Sequence, residues 1–408
     1  MAMTEQDVAK LAQISAQNSA IMLLSEYKWI QFANDLASTT KPSYATNTPY
    51  SFTLANTTGY LDAIRIFIQN LKIDNSNTTT AGSLNIHGFH QLLGSLTVSL
   101  GNKVYSLQAG AIPLIESTFS RDGKPSGYPG LTTQTYSTVL YDAPASIPVS
   151  GSATYTGYIN IPLALLRMVG DPDGIAPTLS NTGFTVQFVT PTNLQGSDPL
   201  QSPFGTAGTL AVDGTDNGVI TVWGHMLRQN TVMDSLPLPP PVVGAGFYIQ
   251  EVTAELLQGP SFYPFQGQQA EMALVKSVAV IDNPGDVSSS VGYSNPANVL
   301  AIDLMYDQAT EVTKYGPVEN PYFTGGPGGL SNFLVDQRER YGDLPPGVYV
   351  FDWSAGTNAS YPNRYKYANL NQFSRMGLRV SLAAAPAAGA SLRYYNIYLK
   401  ENLYVAQG

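Results

Sequence analysis

The sequence predicts an all-β chain, two tandem antiparallel sandwiches with a helix in front. Three observations point there. Short apolar-alternating runs recur along most of the chain, punctuated by Gly, Pro and Asn. No strand–helix–strand rhythm interrupts them. Between the two sets of runs stands SLPLPPPVVGAG, residues 235–246, with Pro237, Pro239, Pro240 and Pro241 inside five positions.

Residues 4–36 read as one long N-terminal helix. Thr4 can cap it, and Glu5 and Asp7 put negative charge in the first turn, where the helix dipole favours it. No Pro or Gly occurs between Thr4 and Pro42. Val8, Leu11, Ile14, Ile21, Leu24 and Ile30 form an irregular apolar stripe, and a continuous helix would extend roughly 50 Å. Packing on its own domain and lying as an arm along something larger both remain open.

After Pro42 the texture is β. Ile64, Ile66 and Ile68 alternate with Arg65, Phe67 and Gln69, as a strand with one buried face requires. Leu96, Val98 and Leu100 alternate likewise, and Gly101-Asn102 supplies a two-residue turn into KVYSL. TVQFV (185–189) and ITVWGHML (220–227) complete the first set. Beyond the prolines come FYIQEVTAEL (247–256), ALVKSVAVID (273–282), GVYVFDW (347–353), GLRVSLA (377–383) and SLRYYNIYLKENLY (391–404). IPLALLRMV (161–169) and LSNFLVDQRERYG (330–342) are helix-like interruptions. Proline fixes φ and favours extended backbone, so the Pro-rich segment reads as a semi-rigid strut. The expected division is a helical arm over 1–45, a β domain over 46–235, a linker over 236–246 and a second β domain over 247–408.

Composition narrows the function. Only 12% of the 408 residues are charged, about half the usual share of roughly 25%. Scarce charge hints at surface that neighbours cover. The net charge is −9 with no basic arm, which argues against direct nucleic-acid binding. The absence of cysteine removes disulfides, Cys-ligated zinc and a thiol nucleophile, and suits maturation in a reducing cytoplasm. MAMTEQDVAK lacks the pattern of a secretory leader.

Motifs with chemical potential are few. His87 and His90 lie three apart, but their Gly-rich, strand-like flanks favour polar loop histidines over a metal site, and His225 is the only other imidazole. Asp171 and Asp173, then Asp213 and Asp216, resemble calcium loops but lack the closing Glu; turn chemistry is the better reading. TGGPGGL (324–330) lacks the Lys-Ser/Thr of a phosphate loop. Asn56, Asn77 and Asn358 begin formal sequons. No catalytic residues and no cofactor are expected. A paired-carboxylate glycosidase site would be visible only in three dimensions.

Several segments resemble the tectivirus-type double jelly-roll viral major capsid proteins. DAPASIPVSGSATYTGYINIPLAL (142–165) is similar to their Asp-Ala-Pro-Ala turn, strand and Pro-Leu-Ala helix start. LPLPPPVVGAGFYI resembles their inter-domain passage, SVAVIDN (277–283) a strand of their second roll, and RERYGDLPPGVYVFDW (338–353) their helix, turn and aromatic strand. The resemblance implies two tandem eight-stranded jelly rolls per chain and a homotrimeric capsomer of pseudo-hexagonal outline. It implies a virion shell, neighbouring capsomers, penton and minor capsid proteins as partners, and a bacteriophage as the virus. It also implies an internal membrane facing the arm, where Lys10, Lys28 and Trp29 would sit. The competing expectation is a two-domain β-sandwich carbohydrate-binding adhesin or viral spike.

Overall fold

The computed structural model describes residues 25–36, 41–54, 60–85, 87–100, 103–117, 138–142, 144–161, 176–177, 184–196, 198, 200–205, 207–229, 244–257, 259, 261–265, 272–282, 299–306, 337, 344–352, 368–369 and 376–402. The first half carries β1 (Ser25–Gln31), β2 (Ala33–Asn34), β3 (Pro49–Leu54), β4 (Tyr60–Asn75), β5 (Gly82–Ser83), β6 (Ser95–Leu100) and β7 (Lys103–Gln108). It continues with β8 (Thr138–Asp142), β9 (Ser146–Ile147), β10 (Gly151–Ile161), β11 (Ala176–Pro177), β12 (Phe184–Val189) and β13 (Leu210–Gln229). The second half holds β14 (Gly244–Glu255), β15 (Ser261–Pro264), β16 (Met272–Asp282), β17 (Val299–Tyr306), β18 (Val348–Asp352), β19 (Ala368–Asn369), β20 (Met376–Leu382) and β21 (Ser391–Asn402). Two short helices, α1 (Gly88–Gln91) and α2 (Ile112–Ser117), lie in the first half.

All pairings between these strands are antiparallel. In the first half, β1-β13-β4-β10-β8 form one sheet and β2-β3-β12-β6-β7 the other. In the second, β14-β21-β16-β18 form one and β15-β20-β17 the other. Among the described residues, no strand of one half pairs with a strand of the other. The main sheet of each half has the same logic: its opening strand lies beside its closing strand, which lies beside its long third-position strand.

Periodicity explains the core. Ile64, Ile66 and Ile68 on β4, Val98 on β6, Val186 on β12, and Ile220 and Val222 on β13 are all fully buried between the first two sheets. Each such side chain contributes on the order of 1.5–3 kcal/mol. β6 pairs with β7 with Leu100 opposite Lys103; Gly101 and Asn102, read as a two-residue turn, lie outside the described residues. Gly94 ends the turn after α1 with φ +63, and a Cβ there would stand 2.1 Å from the Val189 carbonyl oxygen. Only glycine fits that approach.

The N-terminal helix is corrected where it can be seen. Residues 25–31 form β1, paired with β13 from Ser25↔Gln229 to Gln31↔Trp223, and residues 33–34 pair with β3. Trp29 and Ile30 suit a pleated surface, and a ready-made partner strand outweighs weak helix propensity. The expected boundary at residue 45 moves with it. Phe32 donates its N–H to the Val222 carbonyl at 2.8 Å, and Tyr44 is fully buried, its hydroxyl donating to the Leu92 carbonyl at 2.9 Å. Residues 1–24 lie outside the described residues. So do residues 162–169 of the first helix-like interruption, while Ile161 closes β10. Of the second interruption only Gln337 is described, and it is helical. Its side-chain amide donates to the Val348 carbonyl at 2.9 Å and accepts from the Val350 N–H at 2.7 Å. The buried amide thereby pairs the free edge of β18 as a neighbouring strand would.

Candidate functional site

Two surfaces carry the chemistry of this molecule, and both belong to the repeated main sheets. The first lies between the halves. Along β21, Leu392, Tyr394 and Tyr398 point into the second half's own sandwich, whereas Tyr395 and Ile397 join the first half's core. On β16, Val278 and Val280 face the first half while Ala279 and Ile281 face inward. The sheet is therefore buried on both faces. This explains why SVAVID and RYYNIY lack an apolar/polar alternation.

Charge is rare on that face and is paired. Arg393 of β21 is buried and its guanidinium donates to Asp198 of the first half. Asp282 on β16 lies in the same cluster. Burial, then repulsion from Asp198, pushes its carboxyl up to about 7, with Arg393 opposing. Glu251 of β14 is raised by burial, offset first by Arg393 and then by the Gln108 backbone amide of β7. One guanidinium thus serves three carboxyl groups, so a proton on Asp282 relieves the excess negative charge.

The second surface is the outward face of the first half's main sheet. Arg65 on β4 is sandwiched between rings, 4.6 Å from the Trp29 centroid and 4.5 Å from the Tyr158 centroid. Its Nε donates to Asn160 Oδ1 at 3.0 Å. Trp29 also packs on His225, ring centroids 4.8 Å apart, and Phe67 packs on Tyr158 at 5.2 Å. Cross-strand neighbours place these groups: Trp29 faces His225, Trp223 faces Arg65, and Phe67 faces Tyr158. Charge over an aromatic face, flanked by a second ring, makes a rigid and amphipathic surface.

The residues singled out by motif fall elsewhere. Lys28 and Trp29 stand on a strand, not on a helical arm, which corrects their expected setting. His87 and His90 are not loop residues open to solvent. Both are buried around α1, and desolvation lowers His87 to about 3 and holds His90 well below its ordinary value, with His87 adding to the latter. Asp213 sits in the irregularity of β13 between Val212 and Asn217. It accepts from Lys72 Nζ at 2.6 Å, from Thr215 Oγ at 2.6 Å and from the Thr215 N–H at 2.7 Å. Those bonds, Lys72 first, hold its carboxyl well below the usual range, and Asp216 contributes a backbone N–H to the same turn at 3.2 Å. Asn77 likewise accepts the Thr79 and Thr80 N–H groups within its own turn. Among the described residues, no group of three or more His, Asp or Glu is placed to hold a metal ion, and no helix is long and apolar enough to cross a membrane. Lys10, Asp171, Asp173, Pro237, Pro239, Pro240, Pro241, Asn56, Asn358 and residues 324–330 lie outside the described residues.

Sequence reasoning missed Arg65, Asp198, Glu251, Asp282 and Arg393. For Arg65 and Arg393 the available signal was a cation inside an apolar strand of a charge-poor chain; Asp198 lies in the loop between β12 and β13, where no such pattern marks it.

No family model and no curated relative matches this sequence. Among solved structures, the MCP of STIV, Sulfolobus Turreted Icosahedral Virus, is 12% identical at a TM-score of 0.56, covering 93% of this chain and 98% of that chain. The PBCV-1 virus capsid is 10% identical at 0.58, covering 92% and 93%. The Faustovirus major capsid protein is 8% identical at 0.53, covering 93% and 90%. At such identities the likeness is one of architecture, and it spans both halves. The chain has the jelly-roll fold of viral major capsid proteins.

Proposed function

We propose that this chain is the major capsid protein of an icosahedral bacterial virus with an internal membrane, and that its working unit is a homotrimer. The observation that carries this reading is the repeated sheet order, β1-β13-β4-β10 in one half and β14-β21-β16-β18 in the other. Paired with β3-β12-β6-β7, the first set supplies the eight strands of one roll. The second roll takes β14, β15, β16, β17, β18, β20 and β21. The rolls run over 25–229 and 244–402, with the proline strut between them.

Three chains then offer six similar rolls, so a threefold tile fills a sixfold lattice position. The role is burial of surface between copies, and no reaction is needed. An obligate contact of this kind buries about 2,000–5,000 Å². Penton and minor capsid proteins complete the shell, and the segment before Ser25, with Lys10, is assigned to the membrane side. The virion shell is the destination, and folding takes place in the host cytoplasm. The acidic balance fits a shell that lipid separates from its genome. Sedimentation of the purified protein tests the reading: three times 43.7 kDa gives about 131 kDa, and a glycan-binding monomer would point to the adhesin instead.

A further inference from the structure

Among the described residues the two halves share no sheet, so side chains make the joint between them. Its apolar part is Val278, Val280, Tyr395 and Ile397 of the second half, packed on the first half's core. Its polar part crosses the same boundary. Asp198, between β12 and β13, belongs to the first half; Glu251, Asp282 and Arg393 belong to the second. The hydrogen bonding of this cluster is lopsided. Arg393 donates through Nη2 to Asp198, while its Nε and Nη1 are buried with no acceptor among the described residues. Asp282 is 1% exposed, and its Oδ1 meets no donor among them. Its neighbour from the first half is a second carboxyl, Asp198, close enough to share a hydrogen bond. Tyr395, beside Glu251 on the same face, keeps its proton, because burial raises its hydroxyl well above the ordinary range. An ionised Asp282 is therefore a buried charge beside a like charge, and Arg393, already engaged by Asp198 and facing Glu251, offsets only part of that. Such a state is costly in a closed joint and mild once water reaches it.

We propose that the Asp198–Asp282 pair is a proton-operated latch on the joint: a shared proton holds the two carboxyls together, and its loss lets the second half's sheet lift from the first while each half stays folded. The latch is a property of the single chain and stands apart from the shell role. Its construction favours local opening over collapse. Ala279 and Ile281, on the other face of β16, belong to the second half's own core, and neither half borrows a strand from the other. The Asp198 side chain is 22% exposed, so the pair has a route to solvent. The latch works in one direction. In the closed joint Asp282 keeps its proton up to about pH 7, whereas in an open, hydrated joint it loses it near 3.9. Opening between those limits releases one proton, so the joint is tighter at the acid end and loosens as pH rises. Glu251, also raised by burial, acts in the same direction.

The chain has no cysteine, so one introduced thiol reports on one place. Val278→Cys faces the first half, and Ala279→Cys faces the second half's core. Each full-length variant is labelled with a thiol-specific reagent between about pH 5 and about pH 7.5, and its rate is divided by that of the same chain in denaturant at the same pH. Val278→Cys is expected to react roughly tenfold faster than Ala279→Cys or more, as a local opening requires. Its corrected rate is expected to rise about tenfold per pH unit from about 5 to about 6.5 and to level off above about 7. Equal rates at the two sites mean that the whole chain opens, and they overturn the proposal; so does a flat profile at Val278→Cys. Val280→Cys, equally buried on the same face, takes its place should that variant not fold. Adding Asp282→Asn is expected to flatten the rise, and a rise that persists contradicts the latch. Where Asp282→Asn does not fold, Asp198→Asn decides. With the like charge gone and Arg393 free to pair with Asp282, the rise is expected at lower pH, and an unmoved profile overturns the proposal.

Discussion

Asp282 shows how a single buried carboxyl links the two halves to pH. Burial and the neighbouring Asp198 push it up to about 7, while in an unfolded chain it titrates near 3.9. Across that window the folded protein keeps a proton that the unfolded chain has released. Stability therefore falls as pH rises from about 4 to about 7, and levels off above. Asp282→Asn takes the group out of the titration. Denaturant melts at about pH 5 and about pH 7.5 are expected to show a smaller loss for the variant than for the wild type; equal losses would place the dependence elsewhere. Asp213 works in the opposite direction, since Lys72 and the Thr215 turn stabilise its charged form. Its contribution is present above the ordinary carboxylate range and fades as acid protonates it.

At the scale of elements, legibility followed the environment of each strand. Strands with one wet face announced themselves by alternation, as Ile64, Ile66 and Ile68 do in β4. The strands of the second half were legible as apolar runs, but the reason for their continuity, burial on both faces, needed the packed structure. β1 reads as helix in the sequence because residues 1–24 contain no Pro or Gly and the strand preference of Trp29 and Ile30 covers only two positions; its identity comes from β13, about 200 positions away in sequence. Hydrogen exchange resolved by residue distinguishes the two conformations. As an edge strand, β1 is expected to protect alternate amides over residues 25–31, because only every second N–H points at β13. Uniform protection would restore the helix.

The whole molecule reads as one packing solution used twice. A sheet whose opening strand pairs with its closing strand forms each half, and the second half's sheet is sealed against the first through Tyr395, Ile397, Val278 and the Arg393–Asp198 pair. The overall class, the tandem arrangement and the likeness to capsid proteins were accessible from sequence, because they rest on strand periodicity and on the order of segments. The aromatic–arginine face was not, because Trp29, Arg65, Tyr158 and His225 meet only when four strands align. Class averages of the purified oligomer in the electron microscope test the central claim most directly. Six lobes arranged with threefold symmetry, two from each chain, are the predicted image; isolated two-lobed particles, or a ring with twofold symmetry, would contradict it.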